Sequence, residues 1–422
     1  MLDALKNVFK VKELRQKVLF VLGVMVVYRL GAHIPVPGVD VGVIKDAMFG
    51  GGGEDIFGFL DLFAGGALSN FTVFAMGITP YITASIILQL LTAVIPKLEE
   101  LSRQGQEGRK KIAQYTRYGT IVLALIQGTG ITMYIRQFGA IETPGFYSLL
   151  VIVVTLVAGT SFLMWLGEQI NEYGIGNGIS ILIFTSIISG FPQQLLQTYR
   201  QVMVGAISPF NVIVFLFLAV VIVAGVIFVQ QGERKIPVQY SKRVVGRKVY
   251  GGKSTHIPMR VNQAGVIPVI FASSVLMFPG VIVEVLPFGW ADFIGDLFRH
   301  GSTSYLIIYA LLIMFFTYFY TAITFNPEEV AENMKKRGGF IPGIRPGRAT
   351  VNYLDRILIR VTLAGAIFLT IVSLIPFAMN PLTGVDINWG GTSLLIMTGV
   401  ALRTMQQIES HLLMRHYEGF ME

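Results

Sequence analysis

Few side chains in this 422-residue sequence are placed to do bond chemistry. There is no cysteine, which excludes disulfides, thiolate metal sites and cysteine nucleophiles. The five histidines, His33, His256, His300, His411 and His416, are scattered with no pair four residues apart, so neither a metal site nor a cofactor is expected. An ion-coupled carrier keeps a carboxylate near mid-membrane, alone or with a basic partner. Here Glu168, Glu172, Glu284 and Asp355 all fall at the ends of apolar runs. Arg360 also lies close to a run's end, and Arg29, near the outer end of the first run, is expected to snorkel to the interface. Intramembrane proteolysis needs an aspartate pair, a Ser-His arrangement or zinc ligands inside the bilayer, and these are missing. No catalytic residue is assigned, and an enzyme is not expected.

What the apolar runs carry instead is a repeat. Gly77-Ile-Thr-Pro-Tyr-Ile-Thr-Ala-Ser85 returns as Gly265-Val-Ile-Pro-Val-Ile-Phe-Ala-Ser273, both reading G-x-x-P-x-I-x-A-S. A second echo joins Gly178-Ile-Ser-Ile-Leu-Ile183 to Gly391-Thr-Ser-Leu-Leu-Ile396. Two echoes in the same order suggest a duplicated architecture. Each proline is expected to remove a backbone hydrogen bond within its helix, which is tolerated only where the helix faces protein or a cavity.

These motifs must be positioned by membrane spans. The chain is 53% hydrophobic and 14% charged, far from soluble-protein composition. Runs long enough to cross the hydrocarbon core occur at 18–34, 71–95, 117–137, 147–167, 178–198, 211–230, 264–286, 304–325, 355–377 and 391–411. Of the 33 Lys and Arg, Lys45, Arg136, Arg200 and Arg299 fall outside when the N-terminus is cytoplasmic, and Arg29 and Arg360 lie within spans. The rest are cytoplasmic, so both termini are expected there. The predicted fold is an all-α polytopic membrane protein of ten transmembrane helices. Five spans per half force the second half to insert from the opposite side, giving an inverted repeat. Span 2 then matches span 7 and span 5 matches span 10, the pairs the echoes join. The expected divisions are a cytoplasmic arm at 1–17, halves at 18–200 and 201–411, and a cytoplasmic tail at 412–422.

Between spans 1 and 2, residues 55–66 measure only about 18 Å as a helix, too short to cross. Glycines on both sides allow this segment to fold back into a cavity and move as a unit, or to rest at the outer interface. Two cytoplasmic connections, 232–263 and 326–352, are long and basic. The first reads as an extended hairpin, while the second starts with the helix-start pattern Asn326-Pro-Glu-Glu and ends in a turn-rich run.

At mid-membrane the equivalent spans present Ile78, Ile82, Ile179, Ile183, Ile270 and Ile396. Isoleucines converging on one axis make a narrow, dry constriction, whereas any one alone is ordinary packing or faces lipid. Gln89 on span 2 and Gln127 on span 3 are expected to hydrogen-bond between helices, or to tune an opening seam. A small-solute secondary transporter built on inverted repeats is the alternative reading.

Two segments, Met76-Gly-Ile-Thr-Pro-Tyr-Ile-Thr-Ala-Ser-Ile-Ile-Leu-Gln89 and Trp165-Leu-Gly-Glu-Gln-Ile-Asn-Glu-Tyr-Gly-Ile-Gly-Asn-Gly-Ile-Ser180, resemble the signatures of the SecY family of protein-translocon channels. Shorter matches are His33-Ile-Pro-Val-Pro-Gly38, Gly108-Arg-Lys-Lys-Ile-Ala-Gln-Tyr-Thr-Arg-Tyr-Gly119, Ser254-Thr-His-Ile-Pro258 and Gly343-Ile-Arg-Pro-Gly347, so the resemblance covers nearly the whole chain. It implies a clamshell of two halves in the bacterial plasma membrane that translocates unfolded secretory chains and releases transmembrane segments sideways. The six isoleucines would form its pore ring. A short re-entrant plug at 55–66 would carry Ile56, Phe57, Phe59, Leu60, Leu62 and Phe63. A lateral gate between spans 2 and 3 and spans 7 and 8 would involve Pro80, Pro268, Gln89 and Gln127. Lys242, Arg243, Arg247, Lys248 and Arg345 would dock the motor ATPase SecA or the ribosome, including ribosomal RNA. The remaining implied partners are SecE and SecG subunits, signal sequences and membrane lipids.

Overall fold

The computed structural model describes residues 11–49, 56–143, 145–240, 243–245, 248–250, 254–285, 297–298, 301–383 and 391–418. Each of the ten apolar runs contains a helix. Span 1 is Lys12–Gly31, span 2 Thr79–Val94, span 3 Gly105–Gln137, span 4 Phe146–Tyr173 and span 5 Gly178–Met203. Span 6 is Pro209–Gln231, span 7 Ile267–Val285, span 8 Thr303–Thr324, span 9 Arg348–Thr383 and span 10 Gly391–Glu418. Span 10 stays helical through 412–418, the first residues of the expected tail.

Among the described residues, 6 helical stretches are long and apolar enough to cross a membrane by length and composition, and they contain spans 3, 4, 5, 6, 8 and 9. Span 2 qualifies only together with the helix Pro96–Arg103, to which it is joined by a 100° bend. Three of the four spans that do not qualify alone, 2, 7 and 10, carry the repeated motifs. The lipid-facing role falls to helices such as span 6, whose Phe210, Ile213, Phe217, Val220 and Phe228 are exposed. In lipid such side chains need no protein cover.

The duplication is visible in the packing. Span 1 lies against spans 4 and 5, span 2 against span 3, span 3 against span 4, and span 4 against span 5. The same contacts recur five helices on: span 6 against spans 9 and 10, 7 against 8, 8 against 9, and 9 against 10. The halves meet where span 7 touches spans 2 and 3 and where span 5 touches span 10. One apolar cluster runs through both, including Leu156, Ile183, Val269, Leu369 and Ile396.

Span 2 departs from the sequence expectation. Its helix begins at Thr79, not near 71, and residues 67–78 are turns apart from an isolated β-bridge of Thr72 to Pro35. The backbone there is left-handed at Phe71 (φ 39°) and Gly77 (φ 54°), and it bonds sideways: Val36 N–H donates to Phe71 O at 2.9 Å, and Val73 N–H to Ile34 O at 3.0 Å. Those partners satisfy groups a helix would otherwise bond internally.

The strands lie on the two long connections, 232–263 and 326–352. Strand β1, Glu233–Tyr240, pairs antiparallel with β4, Ser254–Arg260, bringing Ile236 opposite Ile257. The short strands β2, Arg243–Val245, and β3, Lys248–Tyr250, form a hairpin. From the other connection, β5, Gly339–Phe340, adds to the free edge of β1, for the order β4-β1-β5. The hairpin was legible in the sequence; the third strand, which joins the two loops, was not. Beneath the sheet Ile236, Val238 and Met259 bury with Met334, Ile341, Leu354, Ile357 and Leu358. The helix Pro327–Lys336 starts where its capping pattern predicts, with Asn326 Oδ1 accepting from Glu328 N–H at 3.0 Å.

Candidate pore and plug

The repeated motif begins two helices in the same way. Gly77 (φ 54°) and Gly265 (φ 66°) both turn left-handed, and two residues later spans 2 and 7 start at Thr79 and Ile267. Pro80 and Pro268 are thus second residues of their helices, not interruptions within them. A proline in the first turn sacrifices no hydrogen bond, because that N–H has no partner within the helix. This corrects the sequence expectation of a lost bond. The first true bonds run from Ile82 N–H to Ile78 O at 3.1 Å and from Ile270 N–H to Val266 O at 3.2 Å, equivalent positions in the two halves. The second echo also marks helix starts, since Gly178 opens span 5 and Gly391 opens span 10.

Ile78, Ile82, Ile183, Ile270 and Ile396 are all buried, within the cluster shared by the two halves. Ile179 differs. It is half-buried, and its Cδ1 stands 2.7 Å from where a Cβ on Gly167 would lie, so its tip rests on span 4.

The candidate plug helix, Ile56–Ala64, packs against spans 5 and 7, one from each half. Its end reaches the repeat: a Cβ on Gly77 would stand 3.4 Å from Ala64 Cα, directly before Ile78. Phe63 is buried, and Leu60 and Leu62 are half-buried. The side chains of Ile56, Phe57 and Phe59 lie outside the described residues. Gly65 (φ 67°) and Gly66 (φ 83°) form the joint that follows. Asp61 Oδ1 accepts from Leu68 N–H and Ser69 N–H, both at 2.9 Å, which folds the joint back on the helix. Burial pushes the Asp61 carboxyl above its ordinary pKa, and the Ser69 and Leu68 N–H groups pull against that shift.

Three side chains at this joint were missed by sequence reasoning, Tyr28, Ser186 and Ser189, and a fourth, Arg29, was read there only as an interface anchor. Arg29 does not simply snorkel outward, because its Nη1 donates to Gly65 O at 3.0 Å. The available signals were a Tyr-Arg pair closing an apolar span and two serines three residues apart on span 5.

At the seam, Gln89 and Gln127 are half-buried, and neither makes a hydrogen bond among the described residues, so the interhelical bonds expected of them are not present. Spans 7 and 8 are fastened together by Ser273 Oγ and Tyr309 Oη at 3.2 Å and by the edge-on rings of Phe271 and Phe316, 5.7 Å apart. On the second long connection, Arg345 is exposed at a turn, and its carbonyl accepts from Thr350 Oγ1 at 3.0 Å. Arg243 and Lys248 stand on β2 and β3 with side chains not described, and Lys242 and Arg247 lie outside the described residues. Among the described residues no cluster of His, Asp and Glu is arranged to hold a metal.

A two-half helical membrane protein, with a buried apolar waist and a short helix inserted against it, is the class that fold and site define. The SecY family model matches residues 72–405. The chain is 49% identical to the protein translocase subunit SecY of Streptomyces coelicolor, over 100% of both chains. Against the subunit of the same name from Thermotoga maritima it is 46% identical, over 100% of this chain and 98% of that one. A solved protein-conducting channel shares the fold at TM-score 0.67 and 18% identity, covering 94% of this chain and 92% of that one. A second, reported for a plug domain that stabilises the closed state of the translocation channel, matches at TM-score 0.66 and 18% identity over the same shares. The chain belongs to the SecY family, and it is a protein-conducting channel. The small-solute carrier reading is not favoured.

Proposed function

We propose that this chain is a passive, non-enzymatic conduit of the bacterial plasma membrane, with both termini cytoplasmic. Unfolded secretory polypeptides pass between its halves, and apolar segments leave sideways between spans 2 and 3 and spans 7 and 8. The observation that carries this is the pair of matched helix starts, which sets Ile78, Ile82 and Ile270 where the halves meet, with the plug's end against Gly77. A constriction made of side chains on separable helices passes bulky groups when the helices part, and a dry aliphatic ring resists hydrated ions when they close. Ile183 and Ile396 extend the ring through spans 5 and 10, and Ile179 belongs to its rim on span 4's side.

No residue described here supplies energy, so work comes from a partner. Lys242, Arg243, Arg247, Lys248 and Arg345 dock a motor ATPase of the SecA type or a ribosome, whose RNA the basic loops suit electrostatically. A canine Sec61 in a ribosome-channel complex shares the fold at TM-score 0.63 and 17% identity, over 94% of this chain and 92% of that one, which supports a ribosome as a partner. SecE and SecG subunits complete the assembly, and lipid covers the remaining apolar flanks.

The test is a stalled secretory chain presented to channels with a photo-crosslinker at Ile82 or Ile270. Adducts at both positions are expected. Their absence, with adducts formed at lipid-facing Phe217 instead, would remove the axis as the path.

A further inference from the structure

The plug helix is held at its C-terminal end by side chains of spans 1 and 5. Ala64 O accepts from Tyr28 Oη at 2.9 Å, and the same hydroxyl lies 2.6 Å from Ser186 Oγ. Ser186 Oγ also reaches Leu182 O at 3.0 Å, so the two hydroxyls share their protons among two carbonyls and each other. One residue on, Gly65 O accepts from Arg29 Nη1 at 3.0 Å and, at 3.3 Å, from Ser189 Oγ, whose shorter bond is to Ser186 O at 2.7 Å.

The chemistry of these contacts is specific to a helix end. The last carbonyls of a helix have no partner within it, and they carry the negative end of its dipole. A phenol and a guanidinium supply the missing donors and, with Arg29, the complementary charge. The approach needs glycine at the joint, since a Cβ on Gly65 would stand 2.8 Å from Ser189 Oγ and 3.0 Å from Ser186 Cα. Tyr28 is itself held in place, buried and stacked on Phe74 with ring centroids 5.9 Å apart. Without those donors Ala64 O keeps only the longer bond from Ala67 N–H, at 3.4 Å, and Gly65 O only that from Ser189 Oγ, which favours any arrangement that exposes them to water.

We propose that Tyr28 and Arg29 are plug-positioning residues: they clasp Ala64 and Gly65, bias the plug toward its seated position and set how readily the resting channel opens. The inference rests on the reading of 56–64 as the plug.

The experiment measures resting ion conductance of the full-length channel, reconstituted with its partner subunits, in planar bilayers. Tyr28→Phe keeps the ring stack and removes only the hydroxyl, and Arg29→Gln removes the charge. Each raises resting conductance several-fold, the pair together approaches a channel lacking 56–64, and Arg29→Lys, which keeps a cationic donor, retains most of the seal. In the plug-less channel the same substitutions add nothing. Unchanged conductance in the doubly substituted protein, beside a leaking plug-less channel, overturns the clasp. So does an equal rise in the plug-less background, which would place the effect elsewhere in the fold. A plug-less channel that does not leak overturns the plug reading itself, and the clasp with it.

Discussion

Gly77 and Gly265 show how much a single position decides. Both adopt a positive φ, where a β-carbon meets the backbone at a cost of about 1–2 kcal/mol. At Gly265 a Cβ would also stand 2.5 Å from Arg403 Nη2. Gly265→Ala is therefore expected to destabilise the purified channel about as much as Gly205→Ala, which shares the positive φ (77°), because the Arg403 guanidinium ends a flexible side chain that can move aside. Thermal unfolding in detergent measures both, and a much larger loss at Gly265 would show that Arg403 is held fixed. The ring isoleucines are tested by removing their bulk. Ile82→Gly with Ile270→Gly is expected to raise resting ion conductance several-fold in planar bilayers, since a wider, wetter waist no longer excludes hydrated ions. An unaltered conductance would count against the ring.

The two basic connections behave as one element because β5 of the second completes the sheet of the first. Leu354, at the foot of span 9, is fully buried beneath that sheet with Ile236 and Met259. Leu354→Ala should cost about 2–5 kcal/mol of local stability, as large-to-small core changes do. Trypsin is then expected to cut both connections faster, and faster cutting of only one would show that the sheet does not couple them. Arg345→Ala leaves this core untouched, since the side chain is exposed. It should abolish motor-driven translocation while the protein still inserts and unfolds at its normal temperature. Normal export by that variant would take the docking role from Arg345.

For the whole molecule, the contact pattern predicts which motions are open to it. Each half repeats one internal packing scheme, and the halves touch through spans 2 and 3 on 7 and through 5 on 10. Separation at the first of these, with the second as hinge, opens a seam to lipid without disturbing either half. A chain with no cysteine allows a clean test. A disulfide engineered across the span 3 to span 7 contact should block lateral insertion of apolar segments and preserve the resting seal. Continued insertion through the bridged channel would exclude this seam as the exit.

The order of the apolar helices and the duplication were legible in the residues, because bilayer thickness and backbone hydrogen bonding impose patterns that any single run must obey. The hairpin on the first basic connection was legible for a similar, local reason. Span 2's true start was not: the run from 71 is apolar enough for a helix, yet its backbone bonds to residues 34–36, far back in the chain. Nor were the third strand at Gly339–Phe340, the clasp of Tyr28 and Arg29 on the plug, and the turning of Ile179 onto Gly167. Each of these joins residues distant in sequence, and such contacts leave no periodicity to read. They exist only once each half has packed.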